Sequence, residues 1–296
     1  EVPESCTVIQ NKRGTAPGML FEREGKIFVS MPGVPHEMKG MMTEAVIPFL
    51  QGKFKTAFIT HRTLLTAGVG ESFLADHIQA FESALPDHIR LAYLPGYGMV
   101  RLRLTGTGND SLLIQKETDD RFSRLKALVT EWMVTDEDIS LQEALGKLLK
   151  IRKQTVAAAG SCTGGYIAHL ITSIPGSSAY FQGGIIPYQN KIKENVLHVQ
   201  WDTLAATGAV SEETVREMIT GTLHMFDCDY ALATSGIMGP DGGTEKKPVG
   251  TVWIAVGNHQ TTKTRKLWLR FDRQRNIELT ATNVLNLLRK FILSRP

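Results

Sequence analysis

The C-terminal half of the chain alternates short apolar segments with amphipathic ones. The apolar segments have the composition of strands, and they read TVAAAG, YFQGGIIPY, YALATSG, TVWIAVG and KLWLRF. Because strands that alternate with helices form sheets covered on both faces, we predict a layered α/β domain with a mostly parallel sheet over residues 137–296. Ligand sites in such folds lie at the carboxyl ends of strands, so the turns that follow strands are the places where we expect chemistry.

Two smaller regions precede this domain. Residues 53–136 show the order strand, helix, hairpin, helix, which predicts a small α+β module with the hairpin turn at Pro95 and Gly96. Residues 1–52 contain one predicted strand, GKIFVSMPG, and one helix that begins near Pro35, where proline suits the first turn. One strand and one helix cannot bury a core, so this segment either packs on the rest of the chain or lacks upstream partners.

The composition excludes several classes of protein. Hydrophobic residues make up 42% of the 296 residues and charged residues 21%, as in an ordinary globular protein, and a net charge of +3 does not favour nucleic-acid binding. We expect a cytoplasmic protein without a membrane partner, since the sequence has neither a bilayer-length apolar run nor a signal-peptide pattern. The three widely separated cysteines and the eight histidines form no ligand pattern, so we expect no disulfide framework and no metal site. His77 and His169 are interpreted as core or edge residues.

The turn from Gly160 to Gly165 follows an apolar strand and opens a helix. Its small residues let the backbone approach a ligand, and free N–H groups at a helix start favour a phosphate or a tetrahedral oxyanion. The hydroxyl of Ser161 would face the same pocket, whereas Cys162 is the more reactive residue type but has no nearby base in sequence. The alternative is a tight turn whose Ser or Thr only caps the helix.

Two further sequence features could contribute to the same pocket. Tyr188 and Lys193 follow the strand GGIIP, and a lysine buried beside a tyrosine hydroxyl can have a lowered pKa and act as a base. The alternative for this segment is a solvated helix start, and Lys191 is a competing lysine. Arg273 or Arg275, after the last strand, could meet a phosphate or could be an ordinary surface arginine.

The segment 235–244 is rich in glycine and follows an apolar strand, which suits it to wrap a ligand. It lacks the spacing of a P-loop, and a flexible surface loop is the alternative. The turn around Ser178 has the composition of an ordinary connecting turn between a helix and a strand.

Several of these motifs together resemble a known family. The segments are SCTGGYIAHLITSIPGSSAYFQGGIIPYQNKIK, GAVSEETVREM, TSGIMGPDGGT and KPVGTVWIAV. They are similar, in the same order, to the C-terminal domain of CinA-type competence/damage-inducible proteins, which is a nicotinamide mononucleotide deamidase. The segment GTAPGMLFEREGKIFVSMPGVPHEM resembles the end of that family's N-terminal molybdopterin-binding-like domain. The resemblance therefore implies a remnant of that domain over 1–52, a KH-like module over 53–136 and an amidohydrolase domain over 137–296.

The resemblance also implies roles for individual residues. Ser161 matches the nucleophile, and Tyr188 and Lys193 match the pair that assists it. Ser235 stands where the family usually has Thr in a glycine-rich motif. The residues expected to bind the substrate are Thr163, Gly164, Gly165, Ser178, Ser235, Gly236, Gly239 and Arg273. We expect one small-molecule substrate, no cofactor, no metal and a homo-oligomer.

One position departs from the family pattern. The family usually has Glu directly before the nucleophile, and this chain has Gly160. An alternative function is therefore a catalytically impaired nucleotide-binding or scaffold protein of the same family. RNA binding by the middle module is a further alternative, but that module shows no clear G-x-x-G clamp with flanking basic residues.

Overall fold

The computed structural model describes residues 1–54 and 56–295. The chain divides into two compact units, Glu1–Phe58 and Ile59–Pro296. No helix in the described ranges is long and apolar enough to cross a membrane.

The first unit is a three-stranded antiparallel sheet followed by a helical segment. Its elements are β1 (Thr7–Ile9), β2 (Gly18–Arg23), β3 (Lys26–Ser30), α1 (Pro35–Met41), a π-helical turn (Met42–Val46) and α2 (Ile47–Lys53). Pro35 occupies the first turn of α1, as predicted. Our sequence analysis missed β1 and β2. With these strands present, the unit buries a small core of its own, consisting of Ile9, Leu20, Met41 and Val46.

The second unit begins with the predicted α+β module. Its elements are β4 (Phe58–Ala67), α3 (Glu71–Ser83), β5 (Ile89–Gly96), β6 (Met99–Gly108), α4 (Ser111–Leu128) and β7 (Met133–Thr135), with strand order β5-β6-β4-β7. The predicted position of the hairpin turn was wrong. Gly96 pairs with Met99, so the turn is Tyr97-Gly98, and Gly98 adopts a φ of +71°. Pro95 is accommodated inside β5 because β5 is an edge strand, where a missing N–H costs no ladder bond.

The rest of the second unit is a layered α/β domain. Its elements are α5 (Leu141–Arg152), β8 (Val156–Gly160), α6 (Tyr166–Thr172), β9 (Phe181–Ile185), α7 (Asn190–Leu197), α8 (Trp201–Thr207), α9 (Glu212–Phe226), β10 (Tyr230–Gly236), β11 (Thr251–Gly257), β12 (Thr262–Trp268) and α10 (Arg273–Leu293). The strand order is β12-β11-β10-β8-β9. The predicted layered α/β fold is confirmed, and Ser211 caps α9 by accepting a hydrogen bond from the Thr214 N–H at 3.2 Å.

The sheet of this domain is mixed in its pairing. Strands β9, β8 and β10 are parallel, while β11 is antiparallel to both β10 and β12. Four strands, β8, β9, β10 and β12, therefore point one way and β11 points the other way. The carboxyl ends of β8, β9 and β10 consequently meet at one edge of the sheet.

Apolar residues on both faces of the sheet hold the helices in place. Along β8, Val156 and Ala158 pack into a cluster with α5, α6 and α10, and Ala157 and Ala159 pack into a second cluster with α7 and α9. This alternation follows from the two-residue period of a strand. Because both faces are covered, the sheet is rigid, and the turns at its carboxyl edge are held by buried strands.

Candidate active site

The turn after β8 is fixed to the neighbouring strand. β8 is completely buried, and the chain enters the turn at Ser161, whose N–H donates to the Thr234 carbonyl of β10 at 3.1 Å. Gly164 and Gly165 have φ values of +57° and +88°, a region that side chains with a Cβ rarely adopt. The turn therefore brings Ser161 to the carboxyl edge of the sheet, with its side chain 6% exposed.

The turn offers backbone donors other than that of Ser161. Because the Ser161 N–H is already bonded to β10, it does not serve an incoming oxyanion. The N–H groups of Cys162, Thr163 and Gly165 make no backbone hydrogen bond in the described part of the chain. Donors of this kind, arranged beside a nucleophile, stabilise a developing oxyanion.

Thr163 and Thr234 fill the space beside Gly160. Their hydroxyl oxygens lie 3.2 Å apart, and both side chains are buried. A Cβ placed on Gly160 would lie 2.6 Å from the hydroxyl oxygen of Thr163. A larger residue at this position would therefore require the Thr163 side chain to move. Thr234 was not predicted from the sequence, although a hydroxyl residue paired with Gly160 on the adjacent parallel strand is a signal that could have identified it.

The thiol of Cys162 is buried close to two positive charges. Burial raises the pKa of Cys162 to about 12, while a hydrogen bond with Thr234 and the charges of Lys193 and Arg273 act in the opposite direction. The thiol is therefore protonated near neutral pH, and the thiolate is the form that attacks carbonyl groups.

Lys193 is a buried amine in the first turn of α7. Its side chain is 1% exposed, and Nζ donates to the carbonyl oxygens of Pro187 at 2.8 Å and Tyr188 at 3.3 Å. Burial lowers the pKa of Lys193, and the nearby Cys162 acts weakly in the opposite direction. Lys191 is exposed on the other side of the helix, as expected for residues two apart, which lie about 200° apart around the axis.

Arg273 links the end of β9 to the glycine-rich loop. Its Nη2 donates to the Tyr188 hydroxyl at 3.3 Å and its Nη1 donates to the Gly239 carbonyl at 2.8 Å. The guanidinium of Arg275 instead lies 6.0 Å from the ring centroid of Tyr97. The structure therefore brings Arg273 and Tyr188 together and directs Arg275 elsewhere. The Tyr188 hydroxyl contacts Arg273, whereas Lys193 contacts only the Tyr188 backbone.

The glycine-rich loop between β10 and β11 is anchored by a buried asparagine. Asn276 is fully buried, and its Nδ2 donates to the carbonyl oxygens of Met238 at 3.1 Å and Phe271 at 2.9 Å. Gly239 adopts a φ of +85° in this loop. Asn276 was missed by the sequence analysis, although a polar residue among the apolar positions of a helix is a recognisable signal.

Two other predicted binding residues, at the end of β10, have structural roles. The Ser235 hydroxyl donates to the Ala209 carbonyl at 2.6 Å, so its proton is already used. A Cβ on Gly236 would lie 2.7 Å from a side-chain carbon of Val252, so this glycine permits close strand packing. The prediction that these two residues contact the substrate has no support in this geometry.

The structure does not bring Ser178 to the same end of the sheet as Ser161, and its binding role stays a prediction. Ser178 is exposed in a short 3-10 turn (Ser177–Ala179) that precedes β9. Because Val156 pairs with Phe181 in the parallel β8–β9 ladder, this turn lies at the amino end of the sheet. Ser161 lies at the opposite end, about 16 Å away along a strand that rises roughly 3.3 Å per residue.

The histidines occupy edge positions. His169 is exposed beside the Tyr166 ring at a centroid distance of 6.2 Å, and Nε2 of His77 lies 3.0 Å from the Leu128 carbonyl oxygen. Among the described residues, no group of three or more His, Cys, Asp or Glu side chains could hold a metal ion.

Comparisons with known proteins agree with this architecture. The family model of the CinA C-terminal domain matches residues 138–292, and the model of the damage-inducible protein CinA KH domain matches residues 61–133. A solved structure, competence damage-inducible protein A (ComA) from Klebsiella pneumoniae, is 31% identical. It covers 53% of this chain and 97% of that chain with a TM-score of 0.52.

Curated relatives match nearly the whole chain. A CinA-like protein of Cytophaga hutchinsonii is 44% identical over 98% of this chain and 69% of its own length. A putative competence-damage inducible protein of Halothermothrix orenii is 39% identical over 98% of this chain and 70% of its own length. These relatives, the two matching domain models and the shared fold show that the chain belongs to the CinA family.

Proposed function

We propose that the C-terminal domain hydrolyses the carboxamide of nicotinamide mononucleotide to nicotinate mononucleotide and ammonia. The observation that carries this proposal is the buried amine of Lys193, close enough to the Ser161–Cys162 turn for its charge to act on the thiol. Lys193 forms no ion pair within the described ranges, and its amine donates there only to two backbone carbonyl oxygens. A lysine in this state can accept a proton from a serine hydroxyl.

The chemistry follows from the substrate and the turn. The pyridinium ring withdraws electrons from the carboxamide, so its carbon is electrophilic. The Ser161 oxygen attacks that carbon while the hydroxyl proton passes to the amine of Lys193. The backbone N–H groups of Cys162 and Thr163 stabilise the oxyanion of the tetrahedral intermediate.

The second half of the reaction reverses the proton transfer. The tetrahedral intermediate collapses, the C–N bond breaks, and Lys193 returns its proton to the departing ammonia. Water then attacks the acyl ester and gives a proton to Lys193. Lys193 passes this proton to the Ser161 oxygen as the ester bond breaks, so the acid is released and the serine hydroxyl and the neutral amine are restored. The reaction consumes one water in total.

Arg273 and Tyr188 are the proposed contacts for the phosphate end of the substrate. Arg273 uses two of its guanidinium donors on the Gly239 carbonyl and the Tyr188 hydroxyl, which leaves others for an anion. Its side chain is exposed at the start of α10, where a ligand can reach it.

A second candidate function is that of a catalytically impaired nucleotide-binding or scaffold protein. The observation that favours it is the packing at Gly160, where the hydroxyl of Thr163 occupies space that a side chain would need. No carboxylate stands at this position to orient Lys193 or the substrate.

Turnover of nicotinamide mononucleotide by the intact chain distinguishes these functions. We expect ammonia and the acid product in equal amounts, and we expect Ser161→Ala to reduce kcat by on the order of 10³-fold or more because the nucleophile is lost. Cys162→Ala is the matched control and should retain most of the activity.

Three outcomes would contradict parts of this proposal. Turnover that does not exceed that of Ser161→Ala would rule out the deamidase. If calorimetry then showed tight binding of the mononucleotide, the second candidate would stand. A folded Cys162→Ala variant without activity would show that the wrong residue has been assigned as nucleophile.

A further inference from the structure

Thr234 lies near the carboxyl end of β10, opposite Gly160 on the neighbouring parallel strand. Its backbone carbonyl accepts the hydrogen bond from the Ser161 N–H at 3.1 Å. Its side chain is 0% exposed, so it does not reach a ligand in the pocket. Any effect of Thr234 on the reaction therefore acts through the turn that it contacts.

The hydroxyl of Thr234 contacts the two residues that follow the proposed nucleophile. Its oxygen lies 3.2 Å from the Thr163 hydroxyl oxygen, and either group can donate. Burial raises the pKa of Cys162, and a hydrogen bond with Thr234 acts against this effect. One threonine thus holds three consecutive residues of the turn, the first through its carbonyl oxygen and the next two through its hydroxyl.

The lack of a side chain at Gly160 leaves room for this contact. A Cβ at that position would lie 2.6 Å from the Thr163 hydroxyl oxygen, closer than real Cβ atoms come. The hydroxyl of Thr163 therefore lies beside the backbone of Gly160, where it also reaches Thr234. The Thr163 carbonyl accepts from the Tyr166 N–H at 2.9 Å, so both the side chain and the backbone of Thr163 are held.

The peptide groups held in this way carry the donors of the proposed oxyanion hole. The N–H groups of Cys162 and Thr163 follow the backbone hydrogen bond of Ser161 and precede the side-chain contact with Thr234. Such donors stabilise an oxyanion effectively because they are oriented before the reaction begins. The Thr163 hydroxyl has no other hydrogen-bond partner among the described residues, so its orientation depends on Thr234.

We propose that Thr234 is a positioning residue for the nucleophile turn, residues 160–165, and that its hydroxyl keeps the two oxyanion donors aligned. This inference rests on the deamidase activity proposed above. A shift of a reacting group by about 1 Å can cost on the order of 10²-fold in rate. The proposed phosphate contacts, Arg273 and Tyr188, bond each other and Gly239 and not Thr234. Loss of the Thr234 hydroxyl should therefore affect kcat much more than KM.

Steady-state kinetics with nicotinamide mononucleotide test this role. Thr234→Val keeps the shape of the side chain but removes the hydroxyl, and it should lower kcat by about tenfold or more with KM within about twofold of the parent. Thr234→Ser keeps the hydroxyl and should restore kcat to within about threefold of the parent. Thr222→Val is the matched control. The Thr222 side chain is also 0% exposed, but its hydroxyl donates to the Met218 carbonyl at 2.6 Å within α9, so kcat should not change.

Hydrogen exchange of the turn amides gives a second measurement that needs no substrate. The peptide that covers residues 160–166 should exchange at least severalfold faster in Thr234→Val than in the parent, because the turn opens more often. Thr222→Val should exchange there at the parent rate. Thr163→Val removes the other hydroxyl of the pair and should reproduce both effects, so it replaces Thr234→Val if that variant does not fold.

The two measurements separate this inference from the deamidase proposal. An unchanged kcat in a folded Thr234→Val variant of an active parent would overturn the positioning role. An unchanged exchange rate, or a Thr234→Ser variant as impaired as Thr234→Val, would also overturn it. A parent without turnover, together with faster exchange in Thr234→Val, would rule out the deamidase and leave Thr234 as the residue that orders the turn.

Discussion

At the scale of single residues, the contrast between Lys191 and Lys193 shows how helix geometry gives two nearby lysines different surroundings. Both lysines lie in the first turn of α7, but Lys191 faces solvent and Lys193 is buried against the end of β9. Desolvation disfavours the ammonium form and lowers the pKa of Lys193. The same residue type therefore lies in two different environments two positions apart.

The corresponding prediction is a difference in the chemical step. Lys193→Ala should reduce kcat for nicotinamide mononucleotide by on the order of 10²-fold or more, because the general base is lost. Lys191→Ala should leave kcat within a few-fold of the parent. Steady-state kinetics on both variants provide the measurement. An inactive Lys191→Ala would mean that Lys191, and not Lys193, is the base.

The pH dependence of the parent follows from the direction of the pKa shift. The neutral amine is the reactive form, so kcat/KM should rise with pH and level off above the lowered pKa of Lys193, below the ordinary lysine value of 10.5. The Lys193→Ala variant should lack this rise between about pH 6 and 10, the range that a tuned lysine covers.

The sequence identified residues well where helix or strand geometry decides orientation. Helix geometry predicted that only one of Lys191 and Lys193 can face the pocket, and the family resemblance selected Lys193. The choice between Arg273 and Arg275 stayed open in the sequence, and the structure places Arg273 beside Tyr188. The sequence did not indicate the position of Ser178, which the parallel pairing of β8 and β9 puts at the end of the sheet opposite Ser161. Ser178 and Ser235 show that a motif position does not specify which atoms a side chain contacts.

At the scale of elements, the joint between α10 and the glycine-rich loop holds the phosphate side of the proposed site. Arg273 begins the helix and contacts Gly239, and Asn276 one turn later bonds the neighbouring Met238 carbonyl. Both contacts come from the same end of one helix. The start of α10 therefore contributes to the position of the loop, together with the hydrogen bonds that the loop makes within itself.

We predict that Asn276→Ala loosens this joint. The variant leaves buried carbonyl oxygens without a donor, which should lower the free energy of unfolding by about 1–3 kcal/mol. The KM for the mononucleotide should rise severalfold with a smaller change in kcat, because the proposed phosphate contact of Arg273 moves and the proposed base Lys193 does not. Urea denaturation and steady-state kinetics measure these effects.

Asn283→Ala on the same helix is the matched control. Asn283 is half-buried, and its Nδ2 bonds only the Leu279 carbonyl within α10 at 2.8 Å. Its removal should leave KM unchanged. An unchanged KM in Asn276→Ala would show that the loop does not depend on this anchor for substrate binding.

Element boundaries were predictable where burial is strong and less so at edges. The buried strands β8, β10 and β11 lie where the apolar segments predicted them. β12 begins earlier than its apolar residues indicate. Thr262 pairs with Gly257, so the antiparallel ladder extends over polar residues at the start of the strand. The short, exposed strand β1 gave no periodic signal at all.

At the scale of the whole molecule, the proposed chemistry belongs to one of two compact units. Residues 161–273, which include every proposed catalytic and phosphate-binding side chain, lie in the unit Ile59–Pro296. The unit Glu1–Phe58 has its own small core. The relation of that segment to a molybdopterin-binding-like domain stays a prediction from the resemblance.

We predict that a chain beginning at Ile59 keeps kcat for the mononucleotide within about twofold of the full chain, because no reacting group is removed. Circular dichroism first establishes that the shortened chain is folded, and the ammonia assay then compares the two. A folded but inactive shortened chain would place an essential group in the first 58 residues.

The reversed direction of β11 gives the chain a site where its sequence can diversify. Antiparallel neighbours need only a two-residue turn, yet β10 and β11 are joined by the whole segment 237–250 at the carboxyl edge. Lengthening a loop costs little, since each doubling adds roughly 0.6 kcal/mol of closure entropy. Insertions and substitutions can therefore accumulate beside the reacting groups while the strand ladder on either side stays intact. This hairpin is the position at which evolution, or a protein engineer, can change the specificity of the proposed site without redesigning the fold.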